Sequence, residues 1–368
     1  MSIDRVYLRR ACELAERGRG STAPNPCVGA VIASGTLTLG EGYHREAGAP
    51  HAEIEALRAA AAAGHDVHGA TLYVTLEPCD LQGRTPACTQ AVLEAGIGRV
   101  VIGALDPNPN MAGRGVERLR ESIPVAVAGD PWALALIEDF SVWIAGTRPY
   151  LTLKMAVSLD GFVAASPGTH WLTGERARAY VRELRSAADA VLVGAGTVRI
   201  DDPQLTVRPP RARRRPYQRV VACEADPIPP QSRVLARIDG YAPTIVLAPG
   251  GARGRFAELE SVARVLYVGD GERLALALAF KALAREGISS VLCEGGPTLA
   301  GRLLAAGLVD RLAWLVTPQL FGNVHALRAL GSADVTGAGT LQVDCVERLG
   351  DDLLVSARVG KDASCSAV

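Results

Sequence analysis

The chain has 368 residues, 48% of them apolar, and its 39 basic residues balance 39 acidic ones. That length accommodates two domains with separate cores, and that apolar share excludes a disordered chain. The zero net charge argues against a polyanion as the main partner.

Ile3, Tyr7, Ala11 and Leu14 recur at helical spacing, and Gly18 and Gly20 end that helix. Two strand patterns follow, "VGAVIA" and "TLTLGEGYH", then an alanine-rich helix from about 51 to Ala63, stopped by Gly64. "TLYVTLEP" alternates as a strand does. Thr85–Pro86 marks a helix start, with Pro at the first helical position, and Gly96 marks its end. "RVVIGALDP", a short helix near 112–121, "PVAVAG" and a helix around 132–144 complete this half. Strands alternating with helices predict an α/β sandwich whose central strands are buried.

Near "AGTRPYLTLKMAVSLDG" the pattern restarts, which sets a boundary at about 147–150. A helix around 174–187, "AVLVGAGTV", "RVVAC", "TIVLA", "VARVLYVG", a helix at 272–285, "ISSVLCEGG", a helix from Pro297 and "RLAWLVTPQL" alternate in turn. "LQVDCVERLG" and "DLLVSARVG" read as an antiparallel hairpin. The basic, proline-rich "RPPRARRRPYQ" is a solvated loop by default, and the tail from Lys361 is expected to fray. No charged–apolar–small leader and no apolar run of membrane length occur, so a soluble cytoplasmic protein is expected. Its eight cysteines lack disulfide-framework spacing, which leaves thiols or metal ligands.

The chemistry of the first half lies in "PHAEIEAL" and "EPCDLQGRTPAC". His51, Cys79 and Cys88 make three ligands for a tetrahedral zinc and leave the fourth position for water. Glu53, not needed as a ligand, is placed to take and deliver a proton. Residues two apart on a regular helix face nearly opposite ways. His51 and Glu53 can therefore share a site only if His51 lies at the helix mouth, and Pro50 suits that. Cys88 falls in the first turn of the next helix, where the macrodipole favours a thiolate. Taken singly, each of these residues is more often structural. H-x-E followed by P-C and a further Cys is the pattern of nucleobase zinc deaminases, except that eight residues separate the cysteines here instead of two.

"TAPNPCVGAVI", "GEGYHREAGAPHAEIEAL", "ATLYVTLEPCDLQGRTPACTQAV", "RVVIGALDPNP" and "AGRG" strongly resemble the deaminase half of the bifunctional riboflavin-biosynthesis deaminase/reductases, which carry the longer cysteine spacing. The resemblance implies a cytidine-deaminase-like α/β/α zinc domain over residues 1–147. It also implies deamination of 2,5-diamino-6-(5-phosphoribosylamino)pyrimidin-4-one. Asn25 would then hydrogen-bond the pyrimidine, and His44 and Arg84 would meet the phosphate. One departure stands out: the family's usual Ser-His after the first cysteine is Asp80-Leu81. That departure motivates an alternative, a related enzyme tuned to another pyrimidine. A zinc that serves only as a structural clip would not need Glu53.

In the second half, "VLVGAGTV" (Gly194, Gly196) and "VLCEGGPTLAG" (Gly295, Gly296) each read equally as a tight turn or as a close approach to a ligand. Pro297 opens a helix whose first amides suit a phosphate. "PYLTLKMAVSLDGFVA", "WLTGERARAYVRELRSAADAVLVGAGTVRIDDPQLTVR", "CEGGPTLAGRLLAAGLVD" and "TPQLFG" resemble the reductase half of the same family. This implies a dihydrofolate-reductase-like α/β domain over 148–360 that uses NADPH to reduce the ribosyl group to ribityl, and a disordered tail at 361–368. By that resemblance Ala156, Trp171, Thr197, Asp201, Gly296, Pro297 and Thr298 would contact the cofactor. Thr169, Arg185, Leu205, Arg208 and Glu294 would contact the substrate, with Arg185 and Arg208 suited to clamp a phosphate. Lys154 is a candidate polar anchor. The expected partner is a small phosphorylated pyrimidine, with neither nucleic acid nor membrane, and a homodimer or homotetramer would form through the reductase half.

Overall fold

Val31 and Ala33 are buried on one side of a strand, and Ala30 and Ile32 are buried on the other. A strand that is apolar on both faces belongs inside a layered sandwich. The computed structural model describes residues 2–81, 87–146, 148–164, 172–209, 213, 215–322, 327–336 and 339–360. They divide into two units, Met1–Gly146 and Thr147–Val368. The tail from Lys361 lies outside the described residues.

The first unit runs α1 (Ile3–Ala15), β1 (Gly29–Ser34), β2 (Leu37–Tyr43), α2 (Ala52–Ala62), β3 (Thr71–Leu76), α3 (Cys88–Glu94), β4 (Arg99–Ala104), α4 (Arg114–Arg120), β5 (Val125–Val127), α5 (Pro131–Leu136) and α6 (Glu138–Ile144). Its five-stranded sheet has the order β2-β1-β3-β4-β5. β1 is antiparallel to both β2 and β3, whereas β3, β4 and β5 run parallel. Ala52, Ala56, Ala60, Val92, Val116 and Leu119 cover one face from α2, α3 and α4. Leu8, Ala11 and Leu14 of α1, with Ala133 and Leu136 of α5, cover the other. The single helix expected around 132–144 is two, because Ile137 (φ −110°, ψ 8°) leaves the helical region between α5 and α6.

One glycine pair sets how closely α2 approaches the sheet. A Cβ on Gly42 would stand 2.3 Å from the Ala56 amide nitrogen and 2.5 Å from the Ala52 carbonyl oxygen. A Cβ on Gly40 would stand 2.3 Å from the Ala56 carbonyl. The helix carrying "HAE" therefore rests directly on the β2 backbone.

The second unit runs β6 (Tyr150–Ser158), β7 (Phe162–Ala164), α7 (Glu175–Ala187), β8 (Ala190–Gly194), α8 (Ala195–Asp201), β9 (Gln218–Ala222), β10 (Ile245–Pro249), a 3-10 segment (Gly250–Ser261), β11 (Arg264–Val268), α9 (Leu276–Arg285), β12 (Ser290–Cys293), α10 (Pro297–Ala305), β13 (Arg311–Thr317), β14 (Leu327–Arg328), β15 (Leu341–Leu349) and β16 (Asp352–Val359). The nine-stranded sheet has the order β11-β10-β9-β8-β12-β6-β13-β16-β15. It is parallel from β11 through β13, and the expected β15–β16 hairpin adds its antiparallel end. Ala279, Phe280 and Leu283 of α9 and Ala300 and Leu303 of α10 fill one face. Ala177 and Val181 of α7 pack on Ala313 and Leu315 of β13, while Val198 of α8 packs with Val191 and Val193 of β8. The 3-10 segment, α8 and the short pair β7 and β14 are among the elements that strand-and-helix patterning alone did not predict. Among the described residues no helix is long and apolar enough to cross a membrane.

Candidate active sites

His51 is the N-cap of α2, with extended φ −70° and ψ 163°. It therefore stands outside the regular turn that carries Glu53, and both side chains can reach one point. The His51 Nδ1 lies 3.2 Å from Cys88 Sγ and 3.5 Å from Cys79 Sγ, and the three ligand atoms lie within 4.8 Å of one another. Usual Zn–N and Zn–S lengths on a tetrahedron set N and S about 3.5 Å apart, so the donor set and its spacing both suit zinc. Cys88 is the first residue of α3, after its N-cap Ala87; the expected start at Thr85–Pro86 lies outside the described residues.

The charges agree with a cation's site. The Cys88 thiol donates to Cys79, which draws Cys79 toward the thiolate and pushes Cys88 up, with burial adding to the rise of Cys88. The bond to Cys79 raises His51 to about 9, against its own burial. Glu53 is 3% exposed, and its Oε2 has no hydrogen-bond partner among the described residues. Burial pushes this carboxyl up to about 7, with His51 opposing. An acid of that pKa, with a free oxygen beside three metal-type ligands, is poised to exchange protons at neutral pH.

Asn25 and His44 join this group. His44 Nδ1 donates to the Pro50 carbonyl at 3.1 Å, since a carbonyl only accepts. Burial holds the ring's pKa down. The neutral ring then offers Nε2 as acceptor to Asn25 Nδ2 at 3.4 Å. His44 meets His51 edge to face, with ring centroids 5.5 Å apart. Arg84 lies outside the described residues.

Two residues of this site had no signal in the motifs. Glu77, 5% exposed, accepts the backbone N–H groups of Asp106, Gly113 and Val116 at 3.1, 3.0 and 3.1 Å. It thereby fastens the loop before α4 against the Pro78–Cys79 turn. Thr89 donates its hydroxyl to Asp80 Oδ1 at 2.6 Å. A cluster of polar residues around a buried strand end is the only hint that "TLEPC" offers for the first, and the second is a contact of folded structure.

In the second unit, the two glycine-rich elements end the adjacent parallel strands β8 and β12. A Cβ on Gly296 would lie 3.4 Å from Thr197 Oγ1, and one on Gly295 would lie 2.8 Å from Leu299 Cδ2. Gly296 is the N-cap of α10, with no side chain to cap the helix, and Pro297 is its first residue. A glycine-lined helix start at strand C-termini fits a dinucleotide phosphate. Ala156 belongs to β6, the neighbour of β12, Thr298 lies in the first turn of α10, and Asp201 is exposed at the end of α8.

Arg185 of α7 pairs with Glu294 through two bonds, Nε to Oε1 at 2.8 Å and Nη2 to Oε2 at 2.9 Å. Its Nη1 donates to the Thr206 carbonyl at 2.8 Å, while Arg208 Nε donates to Thr206 Oγ1 at 3.0 Å. Between them Leu205 is buried with φ +54°, a left-handed conformation that a leucine side chain disfavours. Burial pushes the Lys154 ammonium's pKa down, and the Glu294 carboxylate opposes that shift. Thr169 and Trp171 lie outside the described residues.

The model of the cytidine and deoxycytidylate deaminase zinc-binding region matches residues 1–104, and the RibD C-terminal domain model matches residues 149–355. The riboflavin biosynthesis protein RibD of Aquifex aeolicus is 39% identical over 357 residues, covering 96% of this chain and 98% of that one. The protein of the same name from Escherichia coli strain K12 is 40% identical over 341 residues, covering 87% and 89%. A crystal structure from Thermotoga maritima, described as a diaminohydroxyphosphoribosylaminopyrimidine deaminase/5-amino-6-(5-phosphoribosylamino)uracil reductase, superposes with a TM-score of 0.83. It is 34% identical and covers 97% of this chain and 99% of that one.

Proposed function

The chain belongs to the RibD family of riboflavin-biosynthesis deaminase/reductases, and on that premise we propose how its residues divide the two reactions. The first unit deaminates 2,5-diamino-6-(5-phosphoribosylamino)pyrimidin-4-one, and the second reduces the ribosyl group of the product with NADPH. The Thermotoga maritima relative is named for the same pair of activities.

In the first unit His51, Cys79 and Cys88 would hold zinc, and the metal would supply a Lewis acid able to bring the pKa of water to about 7. Glu53 takes one proton from the attacking water and gives it to the pyrimidine nitrogen. It then takes the second from the new hydroxyl and gives it to the amine, which departs as ammonia. Neutral His44 keeps the Asn25 amide turned toward the pyrimidine, and Arg84 receives the phosphate. In the second unit the first turn of α10 at Gly296, Pro297 and Thr298 would hold the phosphates of NADPH, which would supply the hydride. Ala156, Trp171, Thr197 and Asp201 complete the cofactor's surroundings. Arg185 holds Glu294 where it can bond sugar hydroxyls, with Leu205, Arg208 and Thr169 along the substrate and Lys154 as polar anchor. We further assign a cytoplasmic location and a homo-oligomer formed through this unit; β15 supports the second, as an edge strand with Leu341, Val343 and Val346 exposed. An edge of that kind invites a second copy.

The buried Glu53 carboxyl, whose Oε2 has no hydrogen-bond partner among the described residues, beside three converging ligands carries the deaminase assignment, since a structural zinc has no use for it. The test supplies the diaminopyrimidine phosphate with NADPH and follows ammonia release and NADPH oxidation separately. Glu53→Gln abolishes ammonia release, while the same protein still oxidises NADPH on pre-deaminated substrate. Ammonia release at the wild-type rate from that variant overturns the assignment.

A further inference from the structure

The residue after each zinc-ligating cysteine is bonded to the other: Thr89 Oγ1 donates to Asp80 Oδ1 at 2.6 Å. The Thr89 amide also donates to the Cys79 carbonyl at 3.2 Å. Residue 89 thus grips residues 79 and 80 with both its backbone and its side chain. Thr89 is 1% exposed and Asp80 is half-buried, so this contact lies beneath the first turn of α3. Eight residues separate the two cysteines, and a leash of that length does not by itself fix two sulfurs relative to each other.

We propose that Asp80 and Thr89 are positioning residues for zinc, a clasp that closes the long cysteine loop and holds Cys79 and Cys88 at ligand spacing. The inference rests on His51, Cys79 and Cys88 as the metal ligands. It assigns a task to Asp80, which replaces the serine usual at this position. The carboxylate accepts a hydroxyl from inside the fold, and Thr89 supplies the hydroxyl that a serine at 80 would otherwise bring. Partners behind the ligands of this kind set metal affinity by restricting ligand geometry.

The test measures zinc affinity of the full-length protein by competition with a chromophoric chelator, without any substrate. Thr89→Val lowers affinity by about 10- to 100-fold, and Thr89→Ser restores it. Asp80→Ala lowers it by a similar factor, and the double variant loses no more than either single one, because both remove the same bond. The thiolate-to-metal absorption of the cobalt(II)-loaded protein shifts in Thr89→Val and not in Thr89→Ser. NADPH oxidation on pre-deaminated substrate stays unchanged throughout. Zinc affinity of Thr89→Val within twofold of wild type overturns the proposal, as do additive losses in the double variant. So does a lower melting temperature of the metal-free protein with unchanged affinity, since a helix cap alone would do that. If Thr89→Val does not fold, Asp80→Ala decides by the same criteria. Failure here leaves the deaminase assignment standing, because that rests on ammonia release from the Glu53 variant.

Discussion

Arg185 and Glu294, 109 positions apart in sequence, form a two-pronged pair with bonds of 2.8 and 2.9 Å and side-chain exposures of only 20% and 13%. With Nη1 on the Thr206 carbonyl, all three guanidinium nitrogens are engaged inside the protein. An arginine committed in this way acts on a ligand mainly by orienting its carboxylate partner. Removing one member of a buried pair strands the other charge, at about 3–5 kcal/mol. Arg185→Ala therefore destabilises the second unit by about that amount in calorimetry and abolishes NADPH oxidation, while ammonia release persists. Arg185→Lys does not rescue, because an ammonium lacks the planar fork. Full reductase kcat/KM in the lysine variant would show that the fork is not needed.

Gly42 offers a test of how the fold places the deaminase site. Its missing Cβ leaves room for the Ala52 carbonyl and the Ala56 amide of α2, and His51 and Glu53 sit at the start of that helix. Gly42→Ala must push α2 away from β2, since backbone atoms at 2.3 and 2.5 Å cannot yield locally. Overpacking of this kind costs about 1–3 kcal/mol. The expected result is a lower melting temperature for the first unit and weaker zinc binding, with reductase activity retained. Unchanged zinc affinity would mean that the helix start does not follow its middle.

Glu77 makes a prediction for the loop that precedes α4. One buried carboxylate serves three backbone amides there, and bonds to a charged group are worth about 1.5–3 kcal/mol each. Glu77→Ala leaves Asp106, Gly113 and Val116 without that acceptor, so a loss of roughly 3 kcal/mol is expected. Hydrogen exchange over residues 106–116 reads it directly. Protection that survives the substitution would place the anchor elsewhere.

The contrast between these residues and the zinc ligands explains what a sequence reveals. Metal ligation demands particular side chains, so His51, Cys79, Cys88 and Glu53 stood out together by residue type, and the family resemblance accounted for the long cysteine spacing. The strands were readable for a similar reason: β1, β4 and β8 are buried on both faces and carry apolar runs, and β3 showed itself by alternation. Arg185 and Glu294 each read as a ligand contact because nothing local to either names the other. Asp80 looked like a misplaced charge until the fold brought the Thr89 hydroxyl to it. The break at Ile137 and the 3-10 run from Gly250 to Ser261 are also choices of tertiary packing.

Asp4 provides the pH test. At the start of α1 it accepts from Arg99 Nη1 and Nη2 at 2.9 and 2.8 Å and from the Tyr73 hydroxyl at 3.1 Å, which ties the helix to β3 and β4. The Arg99 bonds hold its carboxyl below the ordinary value of 3.8, against a smaller opposing effect of burial. The folded state therefore binds this proton less readily than the unfolded chain does. Stability gained from the pair is fully present above pH 3.8 and is lost as pH falls through the lower, folded value. Both partners are about one-third exposed, so the effect is modest, about 1 kcal/mol or less. Melting of the first unit is compared between wild type and Asp4→Asn across pH. The wild-type advantage holds constant at neutral pH and shrinks only below 3.8. It also falls with added salt, because the pair is open to screening. An advantage that persists unchanged at the acid end would mean that the hydrogen bonds, and not the charge, hold α1 in place.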